Sequence, residues 1–216
     1  MYDLEQAIND RRSTRMFLPD KQVPRELVDE ALELAIHAPS NSNVQPWHLR
    51  LASGPARDRL VAALLAEATT KPPVVPELPE LFAHLRRDLG AKVYGSMGIT
   101  RDDTEGRRIA VLRNWEFFRA PLAGIVCMHR DLHYVDSLGV GMFLQTVVLA
   151  LTARPRHLRA GVDRRLPRDR PRAAQHLRGV RHSVRAGDRL FRPDFSTNNL
   201  RTEHNPIEHN VVFHDA

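Results

Sequence analysis

Two stretches of this chain hold residues whose types and spacing could do chemistry. The first is Arg11-Arg12-Ser13-Thr14-Arg15-Met16-Phe17, with three guanidinium groups and two hydroxyls inside five residues. A guanidinium offers a planar fork of donors that matches phosphate, so the stretch can cradle a dianion; a solvated basic turn has the same composition. The second is Ala38-Pro39-Ser40-Asn41-Ser42-Asn43-Val44-Gln45-Pro46-Trp47, a loop of small polar residues closed by proline at both ends. Short polar residues bring backbone N–H groups and side-chain amides up to a flat polar ligand without crowding it. The same residue types build an ordinary helix-to-strand turn. No metal is expected. The 11 histidines show no ligand spacing, and Cys127, the single cysteine, provides neither a thiolate cluster nor an internal disulfide.

The elements that must position these stretches follow from periodicity. Asp3 is placed to cap a first helix, with Gln6 three residues on and a narrow apolar face of Leu4, Ala7 and Ile8. Pro24 suits the first turn of a second helix, whose apolar stripe is Leu27, Val28, Ala31, Leu32 and Ala35. That helix must stop at or before Ala38, because Pro39 disfavours helical geometry in its predecessor. Trp47 to Ala52 reads as a strand with Trp47, Leu49 and Leu51 on one face. Ala56 to Ala68 reads as a helix with Leu60, Val61, Leu64 and Leu65 inward, ended by the prolines of residues 71–76. Leu81 to Tyr94 is predicted helical. A further helix starts at Asp102 or Asp103 and runs to Phe117 or Phe118. Ala123 to Met128 is a buried central strand, and Tyr134 to Thr152 a long helix, apolar nearly all round from Leu138 to Leu151. Such a helix needs more than one neighbour, here the core and a partner subunit. Asn210 to Phe213 reads as a short strand.

The length of 216 residues and 42% apolar content suit one domain with a sizeable core. No apolar run approaches a membrane span and no signal peptide is expected, which makes a cytoplasmic protein the default. The net charge of +6 is unevenly spread. Residues 154–192 hold 13 Arg and 3 Asp with no Lys or Glu, a local charge of +10, so the remaining residues carry 6 − 10 = −4.

Taken in order, the motifs resemble those of the flavin-dependent nitroreductase family. The resemblance rests on Arg11-Arg12-Ser13-x-Arg15-x-Phe17 and Ala38-Pro39-Ser40-x-x-Asn43-x-Gln45-Pro46-Trp47, separated by one helix. It extends through Asn114-Trp115-Glu116-Phe117-Phe118-x-Ala120-Pro121, through Gly141, Gln145 and Leu149, and through Asn198-Asn199-Leu200-Arg201-Thr202. It covers roughly 1–153 and 193–216. It implies an α+β fold, with a central, mostly antiparallel sheet wrapped by helices, in an intertwined homodimer. It also implies FMN at the dimer interface, with NAD(P)H as reductant and a nitroaromatic, quinone or similar small molecule as acceptor. By position, Arg11, Arg12, Ser13 and Arg15 would hold the FMN phosphate and ribityl chain. Pro39, Ser40, Asn41 and Asn43 would approach the isoalloxazine from the partner subunit. Family members often carry Arg where His204 stands, against the phosphate; histidine is mostly neutral at pH 7, and Arg201 is placed to compensate. The chemistry would lie at flavin N5, so no side chain is nominated as acid, base or nucleophile. On this reading 1–216 is a single domain whose 195–216 extension docks on the partner.

Residues 154–192 depart from the family, which has there a glycine loop facing N5, then a helix and an apolar strand. The composition here should be disordered or bound to polyanion if isolated. Nucleic-acid binding through it is the alternative function, although the segment has no aromatic interleaving and no recognisable binding motif. A shifted reading of GC-rich codons produces this enrichment in Arg, Pro, Ala, Gly and His. Written as CGG CCT CGG CAC CTG CGC, Arg154 to Arg159 read one base later as Gly-Leu-Gly-Thr-Cys. Sequencing the gene tests this: the codons for 154–192 are expected to give a glycine loop, an amphipathic helix and an apolar strand in another frame. Codons that yield no such string in either frame end the idea. If the chain exists as written, loss of that loop and strand predicts poor folding and weak flavin binding.

Overall fold

The computed structural model describes residues 3–70, 77–154, 158–163, 182–188 and 192–212. In chain order the elements are α1 (Leu4–Asp10), α2 (Arg25–Ala35), β1 (His48–Ser53), α3 (Gly54–Thr70), α4 (Glu80–Ser96), α5 (Thr104–Leu112), β2 (Leu122–Cys127), α6 (Tyr134–Thr152), β3 (Leu158–Asp163) and β4 (His182–Asp188). The four strands form one antiparallel sheet in the order β1-β2-β4-β3. This is the expected α+β architecture.

The sheet separates two cores. On one side α2 and α6 pack with β2, through Ala31 and Ala35 of α2, Val126 and Met128, and Val140, Phe143, Leu144, Val147, Val148 and Leu151 of α6, all buried. Trp47 and Leu49 complete this core. The other side is smaller: Phe17, Val61 of α3, Phe117, Phe118, Ala120 and Ala123. β2 lies between β1 and β4, and the register pairs Leu51 with Gly124 and Gly124 with Val184. A Cβ added at Gly124 would sit 2.7 Å from Leu51 Cδ2 and 3.3 Å from both the Arg50 carbonyl and Leu49 Cδ1, so a larger residue there would displace the Leu51 side chain and crowd the strand pair.

Caps follow the expected chemistry. Asp3 accepts a hydrogen bond from the Gln6 backbone N–H at 2.7 Å, and Asp103 accepts one from Gly106 N–H at 2.8 Å. α6 has the bounds that its composition indicates. It is 19 residues long with mean hydropathy 1.6, enough by length and composition to cross a membrane, yet 56% of that window is buried inside the protein. Its remaining exposed apolar residues include Val135, Leu138 and Met142.

Five expectations are corrected. α1 buries only Ala7, leaving Leu4 and Ile8 exposed, and Leu51 is also exposed on its edge strand. The fifth helix stops at Leu112, because the next residues turn into a left-handed 3-10 turn, Phe117–Arg119. Val211 and Val212 form no strand; the tail ends in a 3-10 turn, Ile207–His209. Finally, the Arg-rich segment supplies β3 and β4, so β2 keeps a neighbour on each side. Strand pairing is a main-chain property and can be met by sequences that lack apolar alternation. The rest of that segment, and the prolines of residues 71–76, lie outside the described residues.

Gly124→Ala should destabilise the protein by about 1 kcal/mol or more, because the new methyl displaces the Leu51 side chain and crowds Leu49 and the Arg50 carbonyl. Urea unfolding of the two proteins measures it, and an unchanged midpoint would contradict the close approach.

Candidate functional site

The cradle segment leaves α1 as extended chain and is held on two sides. Phe17 N–H donates to the Phe118 carbonyl at 2.9 Å. To offer that carbonyl, Phe117, Phe118 and Arg119 all take positive φ, at 51°, 53° and 64°. Three consecutive left-handed residues that are not glycine cost roughly 1–2 kcal/mol each. Burial of both phenylalanine rings offsets that cost. Arg57 braces the turn, donating to the carbonyls of Ala120 at 3.0 Å and Glu116 at 3.2 Å.

On the other side lies the C-terminal tail. Asn198, 1% exposed, accepts from Arg15 N–H at 2.8 Å and donates to the carbonyls of Met16 at 2.9 Å and Arg192 at 3.0 Å. The Met16 carbonyl takes a second bond, from Arg192 N–H at 3.1 Å. Thr197 and Ser196 tie the same turn to Ser96 at the end of α4. The tail then places Arg201 beside the cradle, where its guanidinium donates to the Asn9 carbonyl at 3.2 Å.

Electrostatics mark where the two parts converge. Desolvation, then repulsion from Arg201, holds the Arg12 guanidinium below its ordinary pKa, with Asp10 opposing. The Arg12 Nε atom is buried without a hydrogen-bond partner, as is Thr14 Oγ1. A buried orphan donor on one guanidinium, with a second guanidinium acting on it and Asp10 opposing, offers a place for an anion. Arg11 and Arg15 are half-buried and Ser13 exposed on the same segment. Exposed His204 lies on the tail three residues past Arg201.

The second predicted stretch is anchored to α6. Ser42, Asn43 and Gln45 have φ of 48°, 56° and 49°, and Ser40 stabilises the bend by accepting from Gln45 N–H at 3.0 Å. Pro39 and Asn41 to Asn43 are exposed, with Ser40 half-buried. Asp136, buried in the first turn of α6, accepts from His133 N–H at 2.9 Å and from Asn41 Nδ2 at 3.3 Å. Gly139, one turn on, lets the loop close in: a Cβ there would lie 3.1 Å from Ser40 Cβ and 3.5 Å from Pro46 Cγ. Trp47 stacks on Phe143 with centroids 4.9 Å apart. The structure therefore joins Arg12, Arg15 and Arg201 in one assembly and fixes Ser40 and Asn41 on another.

The nitroreductase family model matches residues 8–154. The chain belongs to the nitroreductase family. That match ends at Arg154, where the Arg-rich segment begins. The nitroreductase NfnB of Mycolicibacterium smegmatis is 37% identical over 155 residues, covering 69% of this chain and 66% of that protein. Nitrobenzene nitroreductase of Ectopseudomonas oleovorans is 35% identical over 159 residues, covering 70% of each. The chain thus matches about two thirds of the length of these relatives. In structure it resembles the FMN-dependent nitroreductase NfnB of Mycobacterium smegmatis, crystallised with NADPH, at a TM-score of 0.86 and 29% identity over 99% of this chain and 100% of that one.

Sequence reasoning missed two residues of this nitroreductase. Asp136 could have been found as an acid three residues after His133, at a position where side chains cap helices. Asn198 sat inside a quoted motif, but nothing local marks a partner 183 residues away.

Asp136→Ala removes the acceptor shared by the α6 cap and Asn41. A loss of about 1–3 kcal/mol in urea unfolding is expected, since both donors lose a buried carboxylate. An unchanged free energy would mean that the loop is held by packing alone.

Proposed function

We propose that this nitroreductase is an FMN-dependent oxidoreductase that takes hydride from NAD(P)H and passes it to a nitroaromatic, quinone or similar acceptor. The observation that carries the reading is the orphaned Nε of Arg12 beside Arg201, a fit for a phosphate dianion. The relatives named as nitroreductases, and the FMN-dependent neighbour crystallised with NADPH, support the cofactor and the reductant.

FMN, when bound, supplies the hydride acceptance and delivery at flavin N5. Arg12 and Arg201 neutralise its phosphate, with Arg11, Ser13 and Arg15 completing the hold on phosphate and ribityl chain. His204 adds a polar group on the same tail. Pro39, Ser40, Asn41 and Asn43 present small side chains and amides to the ring, with Asp136 and Gly139 keeping that loop from shifting. The loop serves the flavin of a partner subunit, in a homodimer to which α6 contributes Val135, Leu138 and Met142, all exposed in the single chain. The tail of residues 195–216 extends the single domain; Ser196 to Arg201 are tied to their own chain, the rest of the tail docks on that partner, and the protein works in the cytoplasm.

The test is spectroscopic. Purified protein reconstituted with FMN should show flavin absorbance that NAD(P)H bleaches and a nitroaromatic restores. Arg12→Ala should weaken FMN binding by roughly 10-fold or more, as expected for a charge-assisted phosphate contact worth about 1.5–3 kcal/mol. Colourless protein that FMN cannot reconstitute, and that retards DNA at low salt, would replace this reading with polyanion binding through the Arg-rich segment.

A further inference from the structure

Asn198 stands out among the buried polar side chains because all three of its hydrogen bonds cross between distant parts of the chain or its own tail. It joins Arg15 and Met16, at the end of the cradle, to Arg192 at the start of the tail. Three residues later the tail delivers Arg201. Docking the tail therefore brings a second guanidinium up to Arg12, and the two repel. The Asn9 carbonyl accepts from Arg201 and Asp10 lies near Arg12, yet Arg12 Nε keeps no partner. The docked tail is thus held by Asn198, with help from Ser96, against an electrostatic cost that a bridging anion would remove.

Resting on the FMN reading above, we propose that Asn198 is a positioning residue that makes flavin binding depend on the phosphate group. Linkage is reciprocal: whatever keeps the tail docked strengthens anion binding, and a bound anion strengthens docking by the same factor. A flavin with a phosphate gains this coupling. Riboflavin, which carries the same ring and ribityl chain without the phosphate, does not. Asn198 touches neither ring nor substrate in this account; it acts through Arg15 and Arg201.

The experiment measures dissociation constants of FMN and riboflavin by fluorescence quenching, for wild type, Asn198→Ala and Asn198→Ser. Alongside it, inorganic phosphate is titrated against the thermal midpoint of the flavin-free proteins. Asn198→Ser adds no charge and is too short to keep all three bonds, so it serves if the alanine variant does not fold. The expected result is FMN weakened about 10-fold with riboflavin changed less than about 2-fold, and loss of the phosphate-induced rise in midpoint. Equal weakening of both flavins, or no change for FMN, would show Asn198 to be a packing residue and overturn the proposal. Failure of the wild type to bind either flavin would sink the FMN reading instead. The clamp would then survive only if phosphate still raised the wild-type midpoint and not that of the variants.

Discussion

Residues 15–17 are held from both sides by groups far away in sequence, and the rest of the site depends on that grip. Asn198 and Arg192 take one side, through Arg15 N–H and the Met16 carbonyl; the Phe118 carbonyl takes the other, through Phe17 N–H. Neither side alone would fix the direction of the arginines that precede it. The tail contributes a side-chain amide, which imitates a strand neighbour by offering an acceptor and donors together. The Phe117–Arg119 turn contributes a single carbonyl, presented only because the backbone accepts left-handed geometry there. Part of the stability of the smaller core is thereby converted into a fixed orientation for the cradle.

The loop at Pro39 to Asn43 shows the same economy in another form. Its anchor is a buried carboxylate whose first task is to satisfy the exposed N–H at the start of α6. The other carboxylate oxygen, Oδ1, accepts from Asn41 Nδ2. Because α6 is also the main element of the larger core, the loop inherits the rigidity of that core. A polar surface loop with three non-glycine residues at positive φ would otherwise be free to relax. Both halves of the site are thus strained or crowded backbone, kept in place by elements whose packing is unremarkable.

Much of the scaffold was legible in the sequence because the relevant signals are local. Asp3 and Asp103 lie three residues before the N–H groups they cap, α6 is a continuous apolar block, and β2 is a compact apolar run between a proline and a charged turn. The arginine cradle and the small-residue loop were legible as chemistry for the same reason. The Phe117–Arg119 turn was not, since aromatic residues favour right-handed geometry and only burial of their rings reverses the preference. Asn198 was not, since its partners are set by tertiary structure. β3 and β4 were hidden by arginine-rich sequence without apolar alternation, where main-chain pairing decides the outcome. The exposure of Leu4 and Ile8 follows the rule that apolar periodicity shows which face could be buried, and leaves open whether a neighbour arrives to bury it.

The closure of the cradle across the chain also has a consequence for biosynthesis. Its first contributor is Asn9 and its last is Arg201. A ribosome must therefore release nearly all of this sequence before Arg201 can reach the Asn9 carbonyl, whatever helices have formed earlier. Contacts at such separation also form late in folding, because the intervening chain must first be ordered. A chain cut short before residue 198 would still carry Arg11, Arg12 and Arg15, but would lack Asn198 to hold Arg15 and Met16 and Arg201 to reach Asn9.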